Sequence, residues 1–78
     1  MKATIDLKLF ATLASHLPAN AAELAIEEGA TTIGQLIDRL EIPLPEAKLI
    51  FVNGVRKDLD TVLYSGDRVG IFPPVGGG

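Results

Sequence analysis

No cysteine or tryptophan occurs among the 78 residues, and histidine, methionine and tyrosine occur once each. The missing thiols exclude a disulfide staple, a thiolate metal site and a cysteine nucleophile, and they fit a reducing compartment. No apolar run approaches the length of a membrane span. Met1 to Asp6 does not read as a secretory signal, because Asp6 and Lys8 interrupt the apolar stretch. A soluble, cytoplasmic protein with no membrane partner is expected. Basic residues are also few: seven stand against ten acidic ones, for a net charge of −3. Lys2, Lys8, Arg39, Lys48, Arg56, Lys57 and Arg68 are scattered apart from the pair at 56–57, so the basic stripe that nucleic acid calls for is missing. Mild acidity favours encounter with a positively charged protein surface instead. A phosphate-binding loop and a nucleophile–base pair are absent too, so catalytic side chains are not expected from this chain.

What is present suffices for one small core and leaves no room for a second. A domain of this size buries only about 60% of its unfolded surface. Ala3, Ile5, Leu7 and Leu9 alternate with Thr4, Asp6 and Lys8, which predicts a strand over 3–9 with one buried face. Phe10 to Ala21 reads as a connection with a helical turn around Ala11–Leu17 that Pro18 stops. Ala22 to Glu28 reads as a second strand with Leu24 and Ile26 inward, ended by Gly29. Thr32 and Gln35 form a capping-box pattern, and Ile33, Leu36, Ile37 and Leu40 then make the stripe of a helix lying on a sheet. Pro43 and Pro45 prevent its continuation. Lys48 to Val52 is a short apolar strand, Asn53-Gly54 a tight turn, and Val55 to Asp58 the returning partner. Asp60 to Leu63 reads as a short turn, Ser65-Gly66-Asp67 as another, and Arg68 to Phe72 as the last strand.

A single helix must cover the one apolar face of this sheet, which gives a two-layer α+β domain. The arrangement that fits best is the ubiquitin-like β-grasp, a mixed sheet packed on one main helix, with the first and last strands side by side at the centre. The expected domain spans 1–75, and 76–78 form a flexible C-terminal glycine tail. That tail follows Ile71-Phe72-Pro73-Pro74-Val75. The prolines fix φ and make a stiff base, while Gly76, Gly77 and Gly78 have no Cβ and can enter a narrow channel. From Phe72 to Gly78 the reach is roughly 20 Å when extended. If Val69 and Ile71 face the helix, alternation turns Arg68, Gly70 and Phe72 outward. Phe72 is then a candidate anchor for a partner, against the alternative that it folds back over the open edge of the core. Pro73, Pro74 and Val75 are expected to position the tail, since consecutive prolines cannot join a central ladder. Arg68 is expected on the outer face near the tail exit.

The series Asn53-Gly54, Leu63-Tyr64-Ser65-Gly66-Asp67-Arg68-Val69 and Phe72-Pro73-Pro74-Val75 followed by glycines resembles the molybdopterin synthase small subunits and the wider sulfur-carrier family that includes the thiamine-thiazole carriers. The resemblance runs along the whole chain and is strongest over residues 49–78. Members typically end in two glycines after a variable residue, and here Gly76 takes that variable position. The resemblance implies that Gly78 is a covalent position: adenylated by an ATP- and Mg-using enzyme of the ubiquitin-activating type, then converted to a thiocarboxylate. It further implies that Gly76, Gly77 and Gly78 insert into a large synthase subunit, with sulfur passing to a pterin precursor of the molybdenum cofactor. On this reading the chain binds no cofactor and is a non-catalytic subunit of a sulfurtransferase complex.

Two other readings use the same residues. The carrier could serve another pathway, such as thiamine thiazole, cysteine or tRNA thiolation, or the chain could be a ubiquitin-like modifier conjugated through Gly78. A third makes it an interaction domain whose glycines are incidental. Elsewhere the candidates are weaker. His16 stands in a connection without a paired ligand and reads as a surface or capping residue. Glu27 and Glu28 point to opposite faces at a strand end and read as a solvated pair. Arg56 and Lys57 keep a short edge strand soluble, with contact to an acidic patch on the activating enzyme as the alternative.

Overall fold

The computed structural model describes residues 2–74, and within them alternation governs where the chain runs straight. Strand β1 (Lys2–Leu9) buries Ala3, Ile5, Leu7 and Leu9, and β2 (Leu24–Glu27) pairs with it antiparallel, with Lys2 opposite Glu27 and Ile5 opposite Leu24. The connection carries 3-10 turns at Ala11–His16 and Ala21–Glu23, and Leu13 from the first is fully buried. After helix α1 (Ile33–Arg39) and a further 3-10 turn at Leu44–Glu46 come β3 (Leu49–Val52), β4 (Val55–Arg56) and β5 (Arg68–Phe72). The strand order is β2-β1-β5-β3-β4. The first and last strands lie parallel at the centre, with Asp6 opposite Arg68 and Leu9 opposite Ile71. β3 runs antiparallel to β5, placing Leu49 opposite Phe72. This mixed sheet with one main helix is the expected α+β, β-grasp arrangement.

Helix α1 begins as the capping box requires: Gln35 N–H donates to Thr32 Oγ1 at 3.2 Å and Thr32 N–H to Gln35 Oε1 at 2.9 Å. Ile33, Leu36 and Ile37 are buried, and Leu40 packs against their edge. The helix ends before the prolines are reached. Glu41 adopts φ 59°, Glu41 N–H donates to Asp38 O at 3.0 Å and Ile42 N–H to Ile37 O at 3.2 Å. That is a Schellman motif with a non-glycine residue in the left-handed position, and Pro43 and Pro45 follow a helix already closed.

Residues 57–63 do more than turn. Ile33 N–H donates to Thr61 O at 2.9 Å and Gly34 N–H to Leu59 O at 2.8 Å, so this strap satisfies two donors that a helix start leaves free. Thr32 and Val62 form a β-bridge, and Leu63 is fully buried beneath it. The return strand is shorter than expected, only Val55–Arg56, because Asn53 and Gly54 both take positive φ, 53° and 82°, in a tight hairpin, and the chain leaves the ladder soon afterwards to become the strap.

Candidate docking face and tail base

The register that buries one face of the sheet fixes what stands on the other. β1 presents Asp6 and Lys8 outward, β5 Arg68, Gly70 and Phe72, and β3 Leu49 and Phe51. Phe10 continues the outward series. It is extended, with φ −111° and ψ 154°, and its N–H donates to Ile71 O at 3.2 Å. All three phenylalanines of the chain therefore meet on this face. Phe10 and Phe72 stack with centroids 4.1 Å apart and planes 1° from parallel, and Phe51 meets Phe72 edge-on at 5.7 Å. They line a shallow, mainly apolar depression of about 380 Å³, bordered by Asp6, Lys8 and Arg68.

Phe72 faces outward as expected and is half-buried. It is not a lone projecting anchor, nor does it fold back over the core edge. Phe10, 37% exposed, lies against it and offers the more accessible ring. Sequence reasoning missed Phe10 and Phe51. Carrying the alternation of β1 one residue past Leu9, and applying the same rule to Phe51 between Ile50 and Val52, would have found both. Pro73 is half-buried and Pro74 exposed, continuing from the end of the central strand. Val75, Gly76, Gly77 and Gly78 lie outside the described residues. Arg68 is exposed on the outer face, but it opens β5 while Phe72 closes it, about 13 Å away along the strand. It therefore stands at the far end of the face from the tail exit.

That far end is tied by polar groups. Asn53 Nδ2 donates to Asp67 Oδ1 at 3.0 Å, Tyr64 N–H to Asp67 Oδ2 at 2.9 Å and Arg68 N–H to Asn53 Oδ1 at 3.0 Å. The two turns that looked separate in sequence thus hold each other, and Gly66, with φ 84°, donates its N–H to Thr4 O at 2.9 Å. Glu28 is more than one of a solvated pair: its Oε2 accepts Ser65 N–H at 2.8 Å, which pins the same loop. His16 is half-buried at the end of its 3-10 turn. Arg56 and Lys57 are exposed at the β4 edge. Among the described residues no cluster of three His, Cys, Asp or Glu could hold a metal ion, and no helix is long and apolar enough to cross a membrane.

A parallel central strand pair, one covering helix and a chain leaving from the central strand define a ubiquitin-like β-grasp protein. The chain belongs to the ThiS family, which it matches over residues 7–78. This is a family of small β-grasp sulfur carriers and ubiquitin-like modifiers. Among solved structures it is similar to small archaeal modifier protein 1 of Haloferax volcanii, at 26% identity and TM-score 0.68, covering 94% of this chain and 99% of that one. A second structure of the same protein, SAMP1, superposes at TM-score 0.65 with 23% identity over 96% of this chain and 99% of the other. A protein of Pyrococcus furiosus named as molybdopterin converting factor, subunit 1, is 26% identical at TM-score 0.63, again over 94% and 99%. No curated protein matches the chain at a significant level.

Proposed function

We propose that this chain is a sulfur carrier, the small subunit of a molybdopterin synthase-like complex, with Gly78 as the atom-carrying position. The observation that supports this most is the exit geometry. A central strand hydrogen-bonded on both sides delivers the chain at Phe72-Pro73-Pro74, directly beside an apolar outer face. A protein that takes the tail into its active site covers that face as it does so. The expected occupant is therefore the tail's acceptor, first the adenylating enzyme and then the large synthase subunit, each presenting an apolar surface with charges to meet Asp6, Lys8 and Arg68. Membership of the ThiS family and the likeness to the P. furiosus protein support the same reading.

A terminal carboxylate is ionised at neutral pH, with a pKa of about 3.3–3.7, and is a poor electrophile. In the proposed cycle its oxygen attacks the α-phosphorus of ATP on the Mg-dependent partner, the α–β phosphoanhydride bond breaks and pyrophosphate leaves. Hydrosulfide, or its equivalent from a persulfide plus a thiol reductant, then adds to the acyl carbon. AMP leaves with the former carboxylate oxygen, and a thiocarboxylate remains. Its sulfur attacks an electrophilic carbon of the acceptor and displaces an oxygen leaving group there, which departs with the C–O bond's electron pair and is protonated. Water then hydrolyses the resulting thioester, returning the carboxylate and leaving the sulfur on the acceptor as a thiol. Gly76 and Gly77 serve as the narrow segment that passes through the partner's channel.

The likeness to an archaeal modifier protein favours a second reading, conjugation of Gly78 to lysines of other proteins. Intact mass after incubation with activating enzyme, ATP and a sulfur donor separates the two. The carrier reading expects a gain of one sulfur less one oxygen, lost on deletion of Gly78 while thermal stability stays unchanged. A ladder of heavier conjugates without that gain would replace the carrier with the modifier.

A further inference from the structure

The ring of Phe72 is held from two sides, by the face of Phe10 and the edge of Phe51. Its backbone is held too: the Phe72 carbonyl accepts Lys48 N–H at 3.0 Å, and the preceding Ile71 carbonyl accepts Phe10 N–H. Gly70 lies beneath the pair. A Cβ there would meet Phe10 Cε2 at 3.4 Å and Phe72 Cε1 at 3.9 Å, ordinary contact distances, so the branches of a larger side chain would reach both rings. Pro73 and Pro74 come next, each locking its own φ and confining the residue before it to extended conformations. Between the ring contacts and Pro74 there is thus no unrestricted backbone torsion, and an orientation set at Phe72 is carried as far as Pro74.

We infer that Phe10, Phe51 and Gly70 form a clamp on Phe72 that sets the direction in which Pro73 and Pro74 leave the sheet, which makes Phe10 and Gly70 positioning residues for the base from which Gly78 is presented. What reacts there rests on the carrier reading above; the clamp itself rests on the ring and backbone geometry. The need for aim is chemical. Bringing a carboxylate within about 3–3.5 Å of a phosphorus atom is a matter of orientation, and small misplacements cost large factors in rate.

Gly70→Val opens the clamp from beneath. It keeps all three rings as contact surface, and valine suits a strand. Phe10→Ala removes one jaw, Phe10→Tyr keeps it, and Leu17→Ala alters an exposed apolar residue outside this face. In the free protein, amide exchange at Lys48 and the ring-flip rate of Phe72 report the clamp directly. With the activating enzyme, ATP–pyrophosphate exchange gives kcat and KM separately. Gly70→Val and Phe10→Ala are expected to speed Lys48 exchange and Phe72 flipping and to lower kcat on the order of tenfold. Phe10→Tyr and Leu17→Ala are expected to stay near wild type. A rise in KM alone would make the rings a docking surface and nothing more, and unchanged exchange and flipping would remove the clamp. Failure of the wild-type chain to be adenylated would sink the carrier reading, and the free-protein measurements would then decide the clamp on their own.

Discussion

The two faces of the sheet are made from different residues, although the same strands supply both. Among the described residues every buried residue of the core is alanine, isoleucine, leucine or valine, and none is aromatic or charged. The outer face holds all three phenylalanines, with charged residues around them. Aromatic rings carry the largest apolar area of any side chain, so a domain this small would be expected to spend them inside. It closes its core without them, on branched aliphatic groups that interlock at fixed volume. The rings stand where an isolated domain gains least from them and where the chain departs toward Gly78. Closing the fold and shaping the exit are thus separate tasks given to separate faces.

The strongest way to break that contrast is to cut the inner face. Leu36 is fully buried on α1, and Leu36→Ala is expected to cost about 2–5 kcal/mol, a large share of the roughly 4–12 kcal/mol that a chain of this length commands in total. Urea unfolding would measure it, and a loss under about 1 kcal/mol would mean the aliphatic core does not carry the fold. Next comes the converse change, a ring placed where none occurs. Val69 is 1% exposed and faces the helix from β5, so Val69→Phe is expected to overpack the layer and cost about 1–3 kcal/mol. Wild-type stability in that variant would show unused room inside and undo the claim that volume keeps aromatics out.

Much of this division was legible before any coordinates. Alternation in Ala3–Leu9 and Arg68–Phe72 assigned both faces of the central strands correctly, and the Thr32–Gln35 box located the helix start. These signals are local, and local sterics and hydrogen bonds decide them. What escaped depends on distant partners. The helix stop at Glu41 has no glycine to announce it, since a Schellman motif closed by Ile42 carries the left-handed residue. The strap over the helix start follows from bonds to Leu59 and Thr61, which belong to no periodic pattern. The stack of Phe10 on Phe72 follows from the parallel register that sets Leu9 opposite Ile71, and neither strand states that register alone. Arg68 was placed on the right face and at the wrong end, because a face was read where a distance along the strand was needed.

The smallest effect sharpens the comparison most. Phe51→Leu replaces an outer ring by a side chain of the inner kind, keeping apolar contact with the sheet and losing the edge-on approach to Phe72 at 5.7 Å. Such aromatic pairs are worth about 0.5–1.5 kcal/mol beyond the area they bury, and Phe51 is only half-buried, so a loss of about 0.5–1 kcal/mol is expected. Chemical denaturation would set this beside the Leu36→Ala value, and aromatic NMR shifts would show the Phe10–Phe72 stack still formed. A loss matching that of Leu36→Ala would make the outer rings part of what holds the domain together, and the division between faces would fail. A small loss with the stack intact would mean that the outer face can lose a ring at little cost to the fold, so that face is shaped by what docks on it rather than by what closes the core.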